Sequence, residues 1–448
     1  MYRKLILFVL IWGMGLSDKL SAQESLPQMD LLTYQLFQQK AWDELIKEGN
    51  KAIQNGMDYY YLRVRMGIAY YEKTNYHDAI HHLEKAIKMN NAEPYLQEYL
   101  YYAYLFAGRN AEARLIAKDF HPALKKKTQT EQISGIGKID LAYNYTGQSD
   151  PAVLDGFTAE VPIEIDGAQF IPDKHHYYYL GFELNIAPRF SLYQGYSYLQ
   201  VDHLLYSQFA GEEFLDGNYS SSLHQYYVAG NFLLSKGLSL LGGIHFMRRI
   251  FPMTTEIITG PPGRPVATLT TSNVGENDLV WFLSLYKRFN KVSLGATYYR
   301  GSLFNFTQNQ GDAKLIYYPF GNLNLYTQST FSYHLQDFGN GNTINNSVFD
   351  QQIGFKTTPW LWVEGYGTIG NMNNFLMNDG LVVFNRMDTI KQRLGGRLIM
   401  LAESNLKLTF DYTFFRNESE FFPYSGNESF NKQEYNIRSL TGILTWTF

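Results

Sequence analysis

The chain has 448 residues, 18% of them charged, a formal net charge of −4 and no cysteine. That length exceeds one small domain. The missing thiol excludes a disulfide scaffold, a thiolate metal site, a cysteine nucleophile and a lipidated N-terminal Cys, and the balanced charge gives no footprint for a nucleic-acid partner. Tyr (36) and Phe (31) help raise the aromatic content to 16%, which fits girdles of Tyr, Trp and Phe at two membrane interfaces. A soluble β-sandwich or propeller is the alternative that composition leaves open.

The first element is a targeting segment. Arg3 and Lys4 precede an apolar Leu5–Leu16, and Leu20-Ser21-Ala22 places small residues before Gln23. This reads as a secretory signal, residues 1–22, whose apolar stretch is too short to span a bilayer. No later window supplies the roughly 20 apolar residues of a membrane helix. If the chain is membrane-bound it must therefore be a barrel, because only helices and closed barrels satisfy every backbone group in lipid.

Residues 30–120 show helical periodicity. Lys51-Ala52-Ile53 recurs as Lys85-Ala86-Ile87, a step of 34 (85 − 51). Trp42 matches Tyr76, Ile46 matches Ile80, Tyr70 matches Tyr104 and Ala79 matches Ala113 at the same step. This period, with Arg65–Ile87 as its clearest copy, resembles the tetratricopeptide repeat. Gly67, Ala79 and Ala86 are expected where two helices pack closely. About three repeats over 23–120 would stack into a small solenoid. The resemblance implies a partner-binding concave face in the periplasm, with Tyr95, Tyr99, Tyr102 and Tyr104 as its aromatic candidates; filling the repeat core is their alternative role. His77 and His81 resemble a spaced metal pair, but repeat packing already explains Ala79 and Ile80 between them. Both histidines are expected on a solvated face, and no metal or cofactor is assigned.

Residues 121–137, with Lys125-Lys126-Lys127, read as a linker. From 138 onward apolar and polar residues alternate, the signature of half-buried strands. Strands are expected near 138–145, 176–186, 190–201, 222–233, 238–247, 278–287, 291–301, 310–318, 322–334, 346–356, 360–369, 389–400, 405–416 and 434–448. That is about fourteen, an even number; a hairpin hidden in Gly370–Asp388 would make it sixteen. Short links at Ala187–Arg189, Ser235–Gly237, Phe289–Asn290, Pro319–Gly321, Thr358–Pro359 and Glu403–Ser404 alternate with longer ones. Thr146–His175 and Arg248–Asn277, the latter with Gly260-Pro261-Pro262-Gly263, are the longest, and Ser302–Asn309 is the exception. Short turns on one edge and long loops on the other are expected of an outer-membrane barrel.

The last strand, Glu434–Phe448, places Leu440, Gly442, Leu444, Trp446 and Phe448 on one parity. It resembles the closing strand of bacterial outer-membrane barrels, in which Trp446 and Phe448 would act as the membrane-insertion signal. The expected class is α+β: periplasmic tetratricopeptide repeats, then an antiparallel transmembrane barrel (138–448) of about 14 strands, closing against Lys138–Tyr145.

Alternation also assigns faces. Asp140, Glu183, Asp312, Lys314, Asp350, Gln352, Lys356 and Glu364 are expected in the lumen, as are Lys391, Arg393, Arg397, Lys407 and Asp411. An unpaired Arg or Lys on the lipid face would cost about 2–4 kcal/mol at the midplane. The lumen could be a water-filled pore, or its charges could pair and loops could plug it. His245, Ser332 and His334 face inward without a nucleophile elbow, phosphate loop or carboxylate pair, so no enzyme is expected.

Signal, repeats and barrel in this order resemble the exopolysaccharide-export outer-membrane proteins. The Ala22–Gln23 junction resembles that of Bacteroidetes-type secreted proteins. The resemblance implies an export channel for a polysaccharide or other solute, whose repeats recruit a periplasmic protein. A non-conducting anchor for a secretion or assembly complex is the alternative.

Overall fold

The computed structural model describes residues 25–448, apart from 91–92, 133, 150–160, 163, 210–211, 260–265, 338, 340–341, 387, 404 and 424–429. The targeting segment at 1–22 and Gly260–Gly263 therefore lie outside the described residues. Among the described residues seven helices come first: α1 (Leu26–Gln38), α2 (Trp42–Gln54), α3 (Tyr60–Glu72), α4 (Tyr76–Met89), α5 (Pro94–Phe106), α6 (Asn110–Ala117) and α7 (Pro122–Thr128). None is long and apolar enough to cross a membrane. Their starts step by 34 residues, 26 to 60 to 94 and 42 to 76 to 110, so the period seen in sequence is a period of helix pairs. Two compact units divide within α5, between Ala103 and Tyr104.

In the first unit, small residues sit where helices meet. Ala52, Ala69, Ala79 and Ala86 are fully buried, and a Cβ on Gly67 would stand 2.7 Å from the Leu83 side chain. A larger residue there would push the α3–α4 pair apart. Arg63 is the main buried charge. It donates to both Asp58 oxygens (2.6 and 2.7 Å) and to His82 Nδ1 (3.1 Å), and Tyr70 stacks on the His82 ring. Burial, then the adjacent Arg63 cation, pushes His82 down to about 3, so it is a neutral acceptor at physiological pH. The Arg63 hydrogen bond lowers Asp58. His77 is buried and only His81 is exposed, which corrects the expectation that both lie on a solvated face. Tyr95 is exposed, Tyr99 packs edge-on against Tyr71 (5.0 Å), and Tyr102 packs against Tyr101.

The second unit holds the barrel. Its strands are β1 (Gly135–Gln148), β2 (Gly167–Ala187), β3 (Phe190–Phe209), β4 (Glu212–Ser235), β5 (Leu238–Thr259), β6 (Val266–Phe289), β7 (Val292–Leu303), β8 (Phe306–Tyr317), β9 (Leu325–Asp337), β10 (Thr343–Thr358), β11 (Leu361–Met372), β14 (Thr389–Leu401), β15 (Leu406–Pro423) and β16 (Phe430–Thr447). These fourteen close in chain order, each antiparallel to its neighbours. Closure runs from Lys138↔Thr447 to Gln148↔Ile437, so the last strand seals against the first as its alternation implied. Two three-residue strands, β12 (Phe375–Met377) and β13 (Val382–Phe384), form a separate hairpin. The sixteen-strand alternative is thereby corrected: the hidden hairpin exists but does not join the wall.

Two loop expectations change. Most of Arg248–Asn277 is strand, since β5 and β6 stay paired out to Thr259↔Val266. Ser302–Asn309 is a tight reversal between Leu303 and Phe306, with Phe304 and Asn305 at positive φ. The linker 121–137 also contains α7, and α6 and α7 belong to the barrel unit.

The wall has two chemically distinct faces. Leu141, Tyr143, Leu180, Leu283, Leu315, Phe331, Leu394, Leu398 and Phe410 point outward and are exposed. Such a belt is stable in lipid and would be a severe aggregation liability in water. Trp446 and Phe448 stack at 5.7 Å on that outer face, beside the short-turn edge.

Candidate functional site: a tyrosine-lined lumen closed by a hairpin

The residues expected in the lumen are buried or half-buried, while the apolar belt is exposed. Arg397 bridges two strands, with Nη1 2.8 Å from Glu364 and Nε 2.9 Å from Asp411. Arg393 lies 3.8 Å from Asp350, which accepts from Thr368 at 2.7 Å. Lys138 reaches Asp140 at 2.9 Å, and Glu183 opposes Lys138 in register. Lys356 covers the Trp362 ring (4.5 Å), Lys314 donates to Tyr286 (3.3 Å), and Lys407 opposes Thr445. Arg397, Arg393 and Lys138 thus pair with carboxylates, while Lys356 and Lys314 lie against aromatic rings.

Lys391 is the correction. A bulge between Ile390 and Gln392 inserts one residue into β14 and flips the parity below it. Ile390 therefore turns inward and is fully buried against Val348, Met372 and Phe375. Lys391 instead pairs at 2.7 Å with Glu418, which shares the outward parity of Tyr412 and Arg416 on β15.

Residues missed in the sequence are tyrosines. Tyr193 donates to Asp140 (2.9 Å), Tyr299 to Asp312 (3.0 Å) and Tyr366 to Asp411 (2.6 Å), and Tyr326 donates to Glu364. Each has the parity of the buried residues on its strand, such as Ser197 on β3, Thr297 on β7, Thr330 on β9 and Glu364 on β11. Composition alone does not separate their rings from those of the membrane girdles. The lumen takes a large share of the aromatic content.

The β12–β13 hairpin enters this lumen. Asn378, Asp379 and Gly380 at its tip have φ of 53°, 54° and 74°, a left-handed run that Asn, Asp and Gly tolerate best. Asp379 Oδ1 accepts from Ser284 (2.7 Å), Tyr286 (2.5 Å) and Thr297 (3.3 Å). The Asp379 carbonyl accepts from Tyr227 at 2.9 Å, and the Gly380 carbonyl lies 2.8 Å from His245 Nδ1. Further back, Gln310 makes both backbone hydrogen bonds to Leu376 (2.7 and 3.1 Å). The hairpin leaves the wall between β11 and β14 yet docks on β4–β8, so it crosses the lumen. Leu376 joins Met247, Phe282, Tyr299 and Leu303 in a buried apolar cluster, and Phe375 faces His334 at 6.2 Å. His245 and His334 are thus contacts of the hairpin. Ser332 stands opposite Asp312 and hydrogen-bonds it.

The short-turn edge carries a second crossing element, the segment from Tyr104 through α6. The Gly108 carbonyl accepts from Arg288 at the end of β6 (3.1 Å), and Gly108 itself packs beside Leu323 in the β8–β9 turn. Glu112 accepts from the Gly237 amide in the β4–β5 turn (3.1 Å) and pairs with Arg109 (2.8 Å). Burial lowers Arg114, while the charges of Glu183 on β2 and of Glu112 raise it. These attachments run from β2 to the β8–β9 turn, about half of the fourteen-strand circumference. Tyr104, expected on an exposed aromatic face, is fully buried in this segment beneath the Arg109 guanidinium (4.8 Å).

No protein-family model and no curated protein matches the chain. Solved barrels are similar to it at low identity. A Pseudomonas aeruginosa FadL homologue is 12% identical, covering 70% of this chain and 90% of that one, with a TM-score of 0.39. The P. putida toluene transporter TodX is 7% identical over 70% and 90%, with a TM-score of 0.44. A bacterial polysaccharide outer-membrane secretin is 7% identical over 69% and 98%, with a TM-score of 0.35. These likenesses are of barrel to barrel and assign no cargo.

Proposed function

We propose that this protein is an outer-membrane transport channel held shut by its own β12–β13 hairpin, with its helix pairs in the periplasm as a recruiting surface for a protein partner. The observation that carries the reading is the docking of Asp379. The hairpin is held across the lumen by hydrogen bonds to wall hydroxyls, bonds that water or a ligand can replace. Fourteen strands lie between eight-stranded barrels, filled by their own side chains, and the 16–18-stranded barrels that leave an aqueous channel. A barrel of this size therefore needs an inserted element to close it.

The cargo best suited to the wall is a polyhydroxylated chain, as in the polysaccharide-export resemblance. Tyrosine rings offer stacking faces, and the carboxylates that hold their hydroxyls offer acceptors for sugar hydroxyls. The test uses a variant with residues 374–385 replaced by a short Gly-Ser linker. Soluble oligosaccharides should block its ion current reversibly, and Tyr299→Leu with Tyr366→Leu should weaken the block several-fold. A current indifferent to oligosaccharide would reject a sugar cargo.

The double crossing, by hairpin and by α6, favours a second reading: a closed barrel serving as an anchor. That reading predicts no current even without the hairpin.

A further inference from the structure

The outer wall is not uniformly convex. At the closing seam a cleft of about 520 Å³ opens outward, across β15, β16, β1, β2 and β3. Gly442 forms its floor, and no atom lies within 4 Å of where a Cβ on Gly442 would stand. Phe410 flanks it on one side and Tyr143 and Tyr178 on the other, with Leu141 and Leu444 below. The cleft lies within the apolar belt, so the medium against it is lipid acyl chain.

One end of the cleft is polar. Tyr143, a lining residue, has its hydroxyl 2.9 Å from His176 Nδ1; Tyr196, another, lies 2.8 Å from His224 Nδ1. His176 stands eleven residues from the end of β2 at Ala187 (187 − 176), and His224 eleven from the end of β4 at Ser235 (235 − 224). At ~3.3 Å per residue and a tilt of about 40°, that climbs roughly 28 Å from the short-turn edge, against an apolar belt roughly 25 Å tall. Both imidazoles therefore sit at the headgroup level on the long-loop side. Arg248 opposes His224 in the β4–β5 register and is exposed. With Nδ1 of each ring engaged, Nε2 is the nitrogen left to meet a phosphate oxygen, and Arg248 adds a cation further round the rim, its guanidinium lying over Gly275 of β6.

We propose that this cleft is a lipid site, taking one acyl chain of a phosphorylated membrane lipid whose headgroup lies at His176, His224 and Arg248. The site rests on the reading of the barrel as membrane-spanning. The test places the full chain in vesicles of phosphatidylethanolamine and phosphatidylglycerol, extracts it in mild detergent and counts retained lipid by native mass spectrometry. Wild type should retain one phosphatidylglycerol. Gly442→Trp should lower that occupancy roughly tenfold, about 1.4 kcal/mol. Gly311→Trp, an outward open position on the far wall, should leave it unchanged. Heat-modifiable gel mobility verifies that each barrel is folded. His224→Gln with Arg248→Gln, outside the cleft floor, should erase the preference for phosphatidylglycerol over phosphatidylethanolamine. Equal retention by wild type and Gly442→Trp, an adventitious lipid only, or a second copy of the chain in place of lipid, would overturn the site. A chain that fails to enter vesicles overturns the membrane reading instead.

Discussion

Asp379 and His82 illustrate how much one side chain can hold in this molecule. Asp379 is a lone carboxylate at a hairpin tip, and its charge is accommodated by three hydroxyl donors on β6 and β7. A hydrogen bond to a charged group contributes about 1.5–3 kcal/mol, so this contact is a large part of what fixes the tip. Nothing in the sequence near Asp379 names Ser284, Tyr286 or Thr297; that pairing exists only once the barrel closes. His82 is the corresponding case in the helices. Its folded pKa of about 3 lies below the unfolded value of about 6.5. The unfolded chain therefore binds the proton first on acidification. The contribution of neutral His82 is complete above about 6.5 and is lost as pH falls toward 3. The 222 nm melt of the helical signal should drop between pH 7.5 and pH 5, by ~4–8 °C for each kcal/mol lost. His82→Gln should flatten that dependence; an unchanged slope would assign it to other groups.

Helix pairs and strands were legible to different degrees, for physical reasons. The 34-residue step showed in sequence because close helix packing demands small residues at fixed positions, such as Gly67 against Leu83. Gly67→Leu should therefore destabilise the helical unit by about 1–3 kcal/mol, read as a lower melting point of the 222 nm signal with the barrel's β signal unmoved. Equal melting would show that the α3–α4 contact is looser than its geometry. Strand parity is legible wherever the ladder is regular, and there Arg393, Arg397 and Asp411 lie on the side of their carboxylate or guanidinium partners. It failed at Lys391, because a bulge breaks the period of two and leaves no composition mark. The β12–β13 hairpin was half legible. Asp379-Gly380 between Phe375–Met377 and Val382–Phe384 is a hairpin signal, yet no local pattern says whether such a hairpin joins the wall, projects outward or folds into the lumen. Its direction is set by apolar partners far along the chain, such as Met247 and Phe282.

For the molecule as a whole, a barrel of about fourteen strands with an apolar outer belt follows from alternation; that the Gly370–Asp388 hairpin stays out of the wall, leaving fourteen, is seen only in the fold. What the alternation leaves undecided is whether the lumen passes anything, because charge pairs lining an open pore and charge pairs bracing a closed one share the same parity. The hairpin in the lumen and the α6 segment at the short-turn edge support the proposed closed resting state. Ion current across a planar bilayer separates a gated channel from a closed anchor. Wild type should stay closed, with rare brief openings. Replacing residues 374–385 with a Gly-Ser linker should give a steady current, and Asp379→Ala an intermediate, flickering one. A folded, inserted variant without the hairpin that still carries no current would contradict the channel reading. A wild type that conducts as steadily as the variant would contradict the hairpin's role in closing it.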